Sequence, residues 1–139
     1  MAQKDDYNNI DRKGELYSDF LTDLNIHPAT GQILRFADEF AVKRSIRNLL
    51  QTNKYERLFQ PGIASNISRI LFEPVSSHTA TLLKQYVTET IDTYEKRCKL
   101  IEVVVTPSPD QNLYTVTIVF AIINKQDPVS INVTLYRVR

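Results

Sequence analysis

Residues 77–106 read SHTATLLKQYVTETIDTYEKRCKLIEVVVT, and the patterns within them predict the central elements of the structure. Its first part carries apolar residues at helical spacing, which predicts a long amphipathic helix capped by Ser76 or Ser77. The inward positions of this helix are Leu83, Val87, Ile91 and Tyr94. From Ile101 the spacing changes to alternation, which is typical of a half-buried strand. The sequence therefore predicts a helix that passes directly into a strand.

The corner between that helix and that strand is formed by Tyr94-Glu95-Lys96-Arg97. Almost no linker is present, so the opposite charges of Glu95 and Arg97 can be held rigidly and presented together. Spacing alone favours a solvated ion pair that contributes ~0–1 kcal/mol to stability. The alternative interpretation is a site that binds a partner.

Three strands follow the corner, over about 100–106, 113–124 and 129–138, with turns between them. Along the last strand the predicted inward residues are Val129, Ile131, Val133 and Leu135. Short turns predict an antiparallel meander with one face covered. We therefore predict the α+β class, with helices packed on one face of a C-terminal three-stranded antiparallel meander. An open sheet edge is expected, and which strand forms it stays open.

Upstream of residue 77 the pattern predicts two helices, over about 38–52 and 63–72, and a brief strand near 33–36. Asp38 and Glu39 suit the first turn of the earlier helix, where the helix dipole favours negative charge. Pro74 ends the later helix. Residues 1–15 are polar and predict a flexible N-terminal arm, followed by one domain over 16–139.

Composition excludes several classes of function. The net charge of +1 in 139 residues lacks the basic excess that nucleic-acid binding needs. No apolar run reaches the ~20 residues of a membrane span. The single cysteine, Cys98, and two distant histidines, His27 and His78, offer no ligand set for a metal, and we expect no cofactor. For the histidines we expect surface or capping roles.

Several segments in fixed order resemble the baseplate wedge family that initiates the sheath of contractile-tailed bacteriophages, with relatives in type VI secretion baseplates. They are LYSDF at 16–20, VKRSIRNLLQT at 42–52, ERLFQPG at 56–62, LFEP at 71–74 and YEKR at 94–97. The family's corner motif is Glu-Pro-Arg, which falls on residues 95–97. Lysine replaces the proline at position 96, so we expect the helix to run one or two residues further.

The resemblance implies a structural subunit of the virion tail baseplate, assembled in the host cytoplasm and not an enzyme. Its partners would be other wedge proteins, whose core helical bundle would hold Glu95 and Arg97, and tail sheath subunits. The strand carrying Val129, Ile131, Val133 and Leu135 would pair with a sheath strand. We expect the isolated protein to be monomeric, without nucleic-acid or membrane partners.

The alternative from another class is a lysozyme-like glycan hydrolase acting on the cell wall. That chemistry needs two carboxylates facing a cleft, one of them with a raised pKa. Candidate carboxylates are Glu73, Glu89, Asp92 and Glu95. A phage-lysozyme spacing fits Glu89 and Cys98 but fails at Val104. For Cys98, cationic neighbours favour a thiolate, whereas an idle buried thiol is the simpler interpretation.

Overall fold

The computed structural model describes residues 16–21, 23–63, 65–123, 125 and 127–138, so the predicted arm over 1–15 lies outside the described residues. The elements in chain order are β1 (Ser18–Phe20), β2 (Arg35–Ala37), α1 (Asp38–Gln51), α2 (Ile67–Ile70), α3 (Ser77–Tyr94), β3 (Cys98–Ser108), β4 (Leu113–Ile122) and β5 (Pro128–Tyr136). The α+β prediction is confirmed. Two compact units divide between Ala41 and Val42, and the predicted single domain over 16–139 stays a prediction.

In the first unit, β1 and β2 form a short antiparallel ladder in which Asp19 lies opposite Phe36. Asp38 fixes the chain where β2 passes into α1. Its carboxylate oxygen Oδ1 accepts hydrogen bonds from the amides of Leu16 (2.8 Å) and Tyr17 (3.0 Å). Its backbone has a left-handed φ of 42°, which aspartate tolerates better than most residues. Asp38 and Glu39 occupy the first turn of α1, as predicted.

In the second unit, the sheet has the order β3-β4-β5 with both pairs antiparallel, which confirms the meander. Side chains alternate along β4 between buried and partly exposed positions. The buried face of the sheet is formed by Val103, Tyr114, Val116, Ile118, Phe120, Ile122, Ile131, Val133 and Leu135. The apolar positions therefore segregate to one face because strand side chains alternate.

Helix α3 packs against β3 and buries Leu83, Val87 and Ile91, as its spacing predicts. Ser76 caps the helix, because its Oγ accepts a hydrogen bond from the amide of Thr79 at 3.1 Å. Tyr94 differs from the prediction, since it lies 39% exposed at the end of the helix. Its hydroxyl explains the difference, because it donates to the carbonyl of Gly62 at 2.5 Å.

The predicted helix over 63–72 is only the single turn α2, Ile67–Ile70. Ser65 interrupts the helical path just before it. Its Oγ donates to the carbonyl of Leu50 at 2.8 Å, and its amide donates to the carbonyl of Thr52 at 3.1 Å. Ser65 is thereby bonded to the end of α1 as an extended residue, a local competition that serine side chains commonly win.

Candidate functional site

The corner between α3 and β3 is as tight as the sequence predicts. Helix α3 ends at Tyr94, and the amide of Glu95 still donates to the carbonyl of Ile91 at 2.9 Å. Strand β3 begins at Cys98. The carbonyl of Arg97 accepts a bond from the amide of Ile123 at 3.0 Å, which joins the corner to the far end of β4.

Glu95 and Arg97 form a two-pronged ion pair at this corner. Arg97 Nε lies 2.7 Å from Glu95 Oε1, and Arg97 Nη2 lies 2.7 Å from Oε2. The amide of Arg97 also donates to Oε1 at 3.3 Å, and the Ser45 side chain of α1 bonds to the same carboxylate. Bidentate geometry of this kind gives a charge pair one fixed orientation.

Exposure differs sharply between the two partners. The Glu95 side chain is only 4% exposed, whereas that of Arg97 is 33% exposed. The assignment of both charges to partner binding stays a prediction, and the low exposure of Glu95 gives the two residues different roles in it. The carboxylate oxygens of Glu95 are occupied by Arg97 and by Ser45 of α1, so Glu95 holds the guanidinium in place. Arg97 is the member of the pair that a partner can reach.

Electrostatics at the corner favour an ionised Glu95. Burial raises the pKa of this carboxyl, but hydrogen bonds from Arg97 and Ser45, together with the charge of Arg97, outweigh burial. The net result is a pKa below the ordinary value of 4.5. The carboxylate therefore stays charged at neutral pH and keeps its hold on Arg97.

Lys96 does not extend α3, so the expectation of a longer helix is wrong. Glu95 already has non-helical dihedrals, with φ of −106° and ψ of 87°. The carboxylate of Glu95 bonds back to the amide of Arg97, which turns the chain away from the helix. The Lys96 ammonium instead donates to the carbonyl of Asp92 in the last turn of α3. The positive charge of Lys96 is favourable here, because the C-terminal end of a helix carries a partial negative charge.

Cys98 is buried directly behind the corner, and its thiol lies 4.0 Å from the carbonyl of Glu95. Burial, followed by the negative charge of Glu95, raises the pKa of the Cys98 thiol to about 11. The cationic neighbour Arg97 lowers it by less. The idle buried thiol is therefore the interpretation that the structure supports.

Cys98 should react with a thiol reagent only when the protein unfolds. At pH 8 a thiol with a pKa three units higher is ionised to about 0.1%, and burial blocks access as well. We expect labelling by a chromogenic disulfide to be at least about a hundredfold slower in buffer than in guanidinium chloride. Rapid labelling of the folded protein would contradict this environment.

The open edge of β5 is defined by its hydrogen-bond register. Just past β5, the amide of Arg137 donates inward to the carbonyl of Asn112 at 2.9 Å. Backbone groups of an antiparallel strand alternate in direction, so residues an even number of positions from Arg137 also point inward, toward β4. The outward amides and carbonyls belong to the alternate residues Ser130, Asn132, Thr134 and Tyr136, whose side chains are exposed. Pro128, which has no amide hydrogen, also falls on the outward side.

This register shows which way the residues assigned to strand pairing point, while their assignment stays a prediction. Ile131, Val133 and Leu135 have buried side chains, Val129 is partly buried, and all four direct their backbone groups to β4. They build the core side of β5. The outward backbone groups that could pair with a further strand belong to the alternate residues. The sequence signal for this was present in the alternation itself, since residues opposite in side-chain direction are also opposite in backbone direction.

The other edge strand of the sheet is β3, and several of its features discourage pairing with a further strand. A register shift between Leu100 and Glu102 interrupts its ladder with β4, and Pro107 lies on the strand. Helix α3 runs beside it, leaving a shallow groove of about 280 Å³ whose lining includes Lys84 and Val105. Bulges and prolines are devices that discourage edge pairing. Strand β5 is the more regular template of the two.

The part of the chain that the structure describes also bears on three expectations, which concern metal binding, the role of the histidines and membrane-spanning helices. Its His, Cys, Asp and Glu residues form no group of three that could hold a metal ion. His27 has the capping role expected of it, since its Nδ1 accepts bonds from the amides of Ala29 and Thr30. Among the same residues, no helix is both long and apolar enough to cross a membrane.

Residues 53–62 lie in the loop between α1 and α2, and sequence reasoning did not predict that its apolar side chains would be exposed. Three of its apolar side chains point into solvent, with exposed fractions of 82% for Tyr55, 85% for Leu58 and 99% for Phe59. The available signal was the pair Leu58-Phe59 inside a segment with turn chemistry, where polar residues are the rule. We call residues 53–62 the apolar loop.

Comparison of the sequence with known protein families shows to which family the chain belongs. The sequence profile described as baseplate wedge protein gp25 matches residues 37–127, more than half of the chain. The chain belongs to this family. The match includes α1, the apolar loop, the charged corner and the first two strands of the meander, and it ends just before β5. The resemblance noted from the sequence is therefore confirmed, and the gp25 family is a family of contractile-tail structural proteins.

Individual relatives agree with this membership. The baseplate wedge protein gp25 of Enterobacteria phage T4 is 28% identical over 89 residues, covering 64% of this chain and 67% of that protein. A putative tail lysozyme from Geobacter sulfurreducens has the same fold, with a TM-score of 0.68 at 22% identity over 73% of this chain and 92% of that one.

Two chains from assembled baseplates also share the fold at 18% identity. One is from the anti-feeding prophage baseplate, with a TM-score of 0.60 over 87% of this chain and 85% of that one. The other is from the postcontracted baseplate of pyocin R2, with a TM-score of 0.50 over 81% and 96%. Likenesses at such identities establish the fold, and they show it in chains of two other baseplates.

Proposed function

We propose that this gp25-family protein is a non-enzymatic assembly subunit of a contractile-tail baseplate. Its corner would dock on the core helical bundle of other wedge proteins, and its sheet would template the first ring of sheath subunits. Beyond family membership, one observation carries the proposal: β5 ends the sheet with a row of outward amides and carbonyls that no strand of the described chain pairs. The protein would reside in the virion baseplate after assembly in the host cytoplasm.

Arg97 would provide the specific contact of the docking step. Its guanidinium is held by two bonds to Glu95, so little side-chain freedom remains to be lost when a partner binds. A carboxylate or a helix C-terminus on the core bundle would complement the charge of Arg97. Burying a charge gains little net affinity, so the contact would act mainly through specificity.

Strand β5 would supply the templating step. An incoming strand can complete its outward row of amides and carbonyls, and main-chain pairing fixes both register and direction. The row is bounded at its end, because the amide of Val138 already donates to the carbonyl of Leu71. Because the row has a defined length, each copy of the protein would pair with one sheath subunit. The isolated protein would stay monomeric until a sheath strand pairs with this edge.

A glycan hydrolase is the weaker proposal. The name of the Geobacter sulfurreducens structure favours it, but that likeness extends to the fold only. Its chemistry needs an acid with a raised pKa, whereas the pKa of Glu95 is lowered by Arg97 and Ser45. We expect no clearing of purified cell walls by the protein. Clearing that a Glu→Gln variant abolishes would instead establish the hydrolase.

Co-elution of the purified protein with purified core-bundle wedge proteins of the same tail tests the docking proposal. The informative variant is Glu95→Gln with Arg97→Met, which removes both charges and leaves no buried carboxylate unpaired. Replacing an ion pair by neutral groups of similar volume is often near neutral for stability. We expect this variant to fold and to elute alone.

The matched control is Lys84→Met with Glu89→Gln, which removes one charge of each sign at exposed positions of α3. We expect this control to co-elute like the original protein. Co-elution of the folded corner variant would remove the docking assignment. Loss of co-elution in both variants would show that net electrostatics, and not the corner, governs association.

A further inference from the structure

The apolar loop exposes three large apolar side chains to solvent. Phe59, Leu58 and Tyr55 are almost fully solvated, so none of them contributes to the packing of the second unit. Isolated exposed apolar residues are common, but three large ones within five positions concentrate apolar surface on one loop. The loop therefore carries apolar surface that the described chain does not use.

The backbone of the loop is nevertheless ordered by its own hydrogen bonds. The amide of Asn53 donates to Glu56 Oε2 at 2.8 Å, and the amide of Glu56 donates to the carbonyl of Asn53 at 3.2 Å. Across the loop, the amide of Tyr55 donates to the carbonyl of Pro61 at 3.3 Å. The exposed side chains are therefore attached to a backbone that hydrogen bonds hold in one conformation.

Two of the three apolar residues hold a left-handed backbone. The φ angle is 67° at Tyr55 and 69° at Phe59, values that bulky side chains rarely adopt. Such strain persists where the surrounding structure enforces it, and it concentrates at binding and switch sites. Here the hydrogen bonds of the loop enforce a conformation that projects an aromatic ring into water.

The loop is joined to the charged corner by one bond. The hydroxyl of Tyr94 donates to the carbonyl of Gly62, where the loop ends, and Tyr94 directly precedes Glu95. The surface proposed for docking therefore continues from Arg97 through Tyr94 to the apolar loop. A partner that binds Arg97 would therefore meet the end of the loop close to the corner.

Charge selects the kind of partner that fits the loop. Lys54 and Arg57 alternate with the apolar residues in sequence and are exposed, while the single carboxylate of the loop, Glu56, accepts a hydrogen bond from the amide of Asn53. The loop therefore carries a net positive charge beside its apolar residues. A complementary surface would combine an apolar pocket with carboxylates around it.

We propose that Tyr55, Leu58 and Phe59 insert into an acid-rimmed apolar pocket on the wedge core bundle, next to the contact made by Arg97. This inference rests on the proposed docking function and extends it. Arg97 fixes orientation, and the loop supplies most of the affinity, as buried aromatic anchors do at protein interfaces. The strained, pre-closed loop reduces the ordering that binding requires.

Titration of the purified core-bundle proteins with the full chain tests the inference. We expect Leu58→Ser with Phe59→Ser to weaken binding about thirtyfold or more. Phe72→Ser is the matched control, since Phe72 is an exposed aromatic residue outside the loop, and its affinity should be unchanged. Arg57→Glu should slow association, most strongly at low salt.

Two further variants separate binding from folding. Phe59→Gly should raise the unfolding temperature, because glycine accepts the left-handed backbone, and still weaken binding. Tyr94→Phe should leave the unfolding temperature nearly unchanged and weaken binding several-fold, because it frees the end of the loop.

The two hypotheses fail in different ways. Full affinity in the Leu58 and Phe59 double variant, with affinity lost in the corner variant, would overturn the loop inference and leave the docking function standing. Binding that survives both the loop variant and the corner variant would remove the docking function itself.

Discussion

Proline in place of Asn132 is expected to prevent sheath growth from the baseplate while the protein still folds. Asn132 lies in the middle of β5 with its amide on the outward side. Proline removes that donor and puts a ring where an incoming strand must pass. The internal ladder to β4 keeps all its bonds, because edge strands tolerate proline when the missing amide faces solvent.

Sheath assembly on purified baseplates that carry the variant provides the measurement. We expect at least about tenfold fewer sheathed particles than with the original protein, because strand pairing depends on main-chain bonds. Asn132→Ala is the matched control, since it shortens the side chain and keeps the amide. It should support assembly nearly as well as asparagine.

A second proline, one position further, gives the opposite pattern. The amide of Val133 points to β4, so Val133→Pro should remove a ladder bond and destabilise the protein by about 1–3 kcal/mol. A variant with Asn132→Pro that folds and still nucleates sheath at the original rate would show that β5 is not the template. If both prolines unfold the protein equally, the assigned register is wrong.

Much of the fold follows from local pattern. The alternation of Tyr114, Val116, Ile118 and Phe120 predicts β4 and its buried face, because residues two apart share a side of a strand. The spacing of Leu83, Val87 and Ile91 predicts α3 and its inward stripe in the same way. These features depend only on neighbours in sequence, so they can be predicted from a single chain.

The candidate site depends on neighbours in space, which explains what the sequence missed. Glu95 is buried and bonded to Ser45 of α1, which lies fifty positions away in sequence. The shortened α2 results from Ser65 bonding to Leu50 and Thr52. Neither contact has a local pattern. The outward amides and carbonyls of β5, in contrast, follow from a local pattern, because side chains and backbone groups alternate in direction together along a strand.

Methionine in place of Arg97 is expected to reverse the pH dependence that Glu95 contributes to stability. In the original protein the folded pKa of Glu95 lies below 4.5, its value in the unfolded chain. Its stabilising contribution is therefore present above pH 4.5 and is lost as the pH falls through the folded value. The source of the low pKa is chiefly Arg97, followed in part by Ser45.

Removal of Arg97 leaves burial as the largest influence on Glu95. Burial raises the pKa of a carboxyl, so the folded value should move above 4.5 in the variant. The contribution of Glu95 to stability should then be greatest below pH 4.5 and fall as the pH rises through the new value. At neutral pH the variant should be less stable by about 2–3 kcal/mol, less than for a fully buried pair because Arg97 is one third exposed.

Urea unfolding between pH 3 and pH 8 measures this directly. The difference between the two proteins should be small at pH 3, where Glu95 is protonated in the variant, and largest near pH 7. Adding Glu95→Gln to the variant should restore most of the stability at pH 7, because the unpaired charge is gone. A loss of equal size at every pH, unrelieved by Glu95→Gln, would mean that Arg97 stabilises the corner by packing. The proposed division of roles, with Glu95 holding and Arg97 docking, would then lack its electrostatic basis.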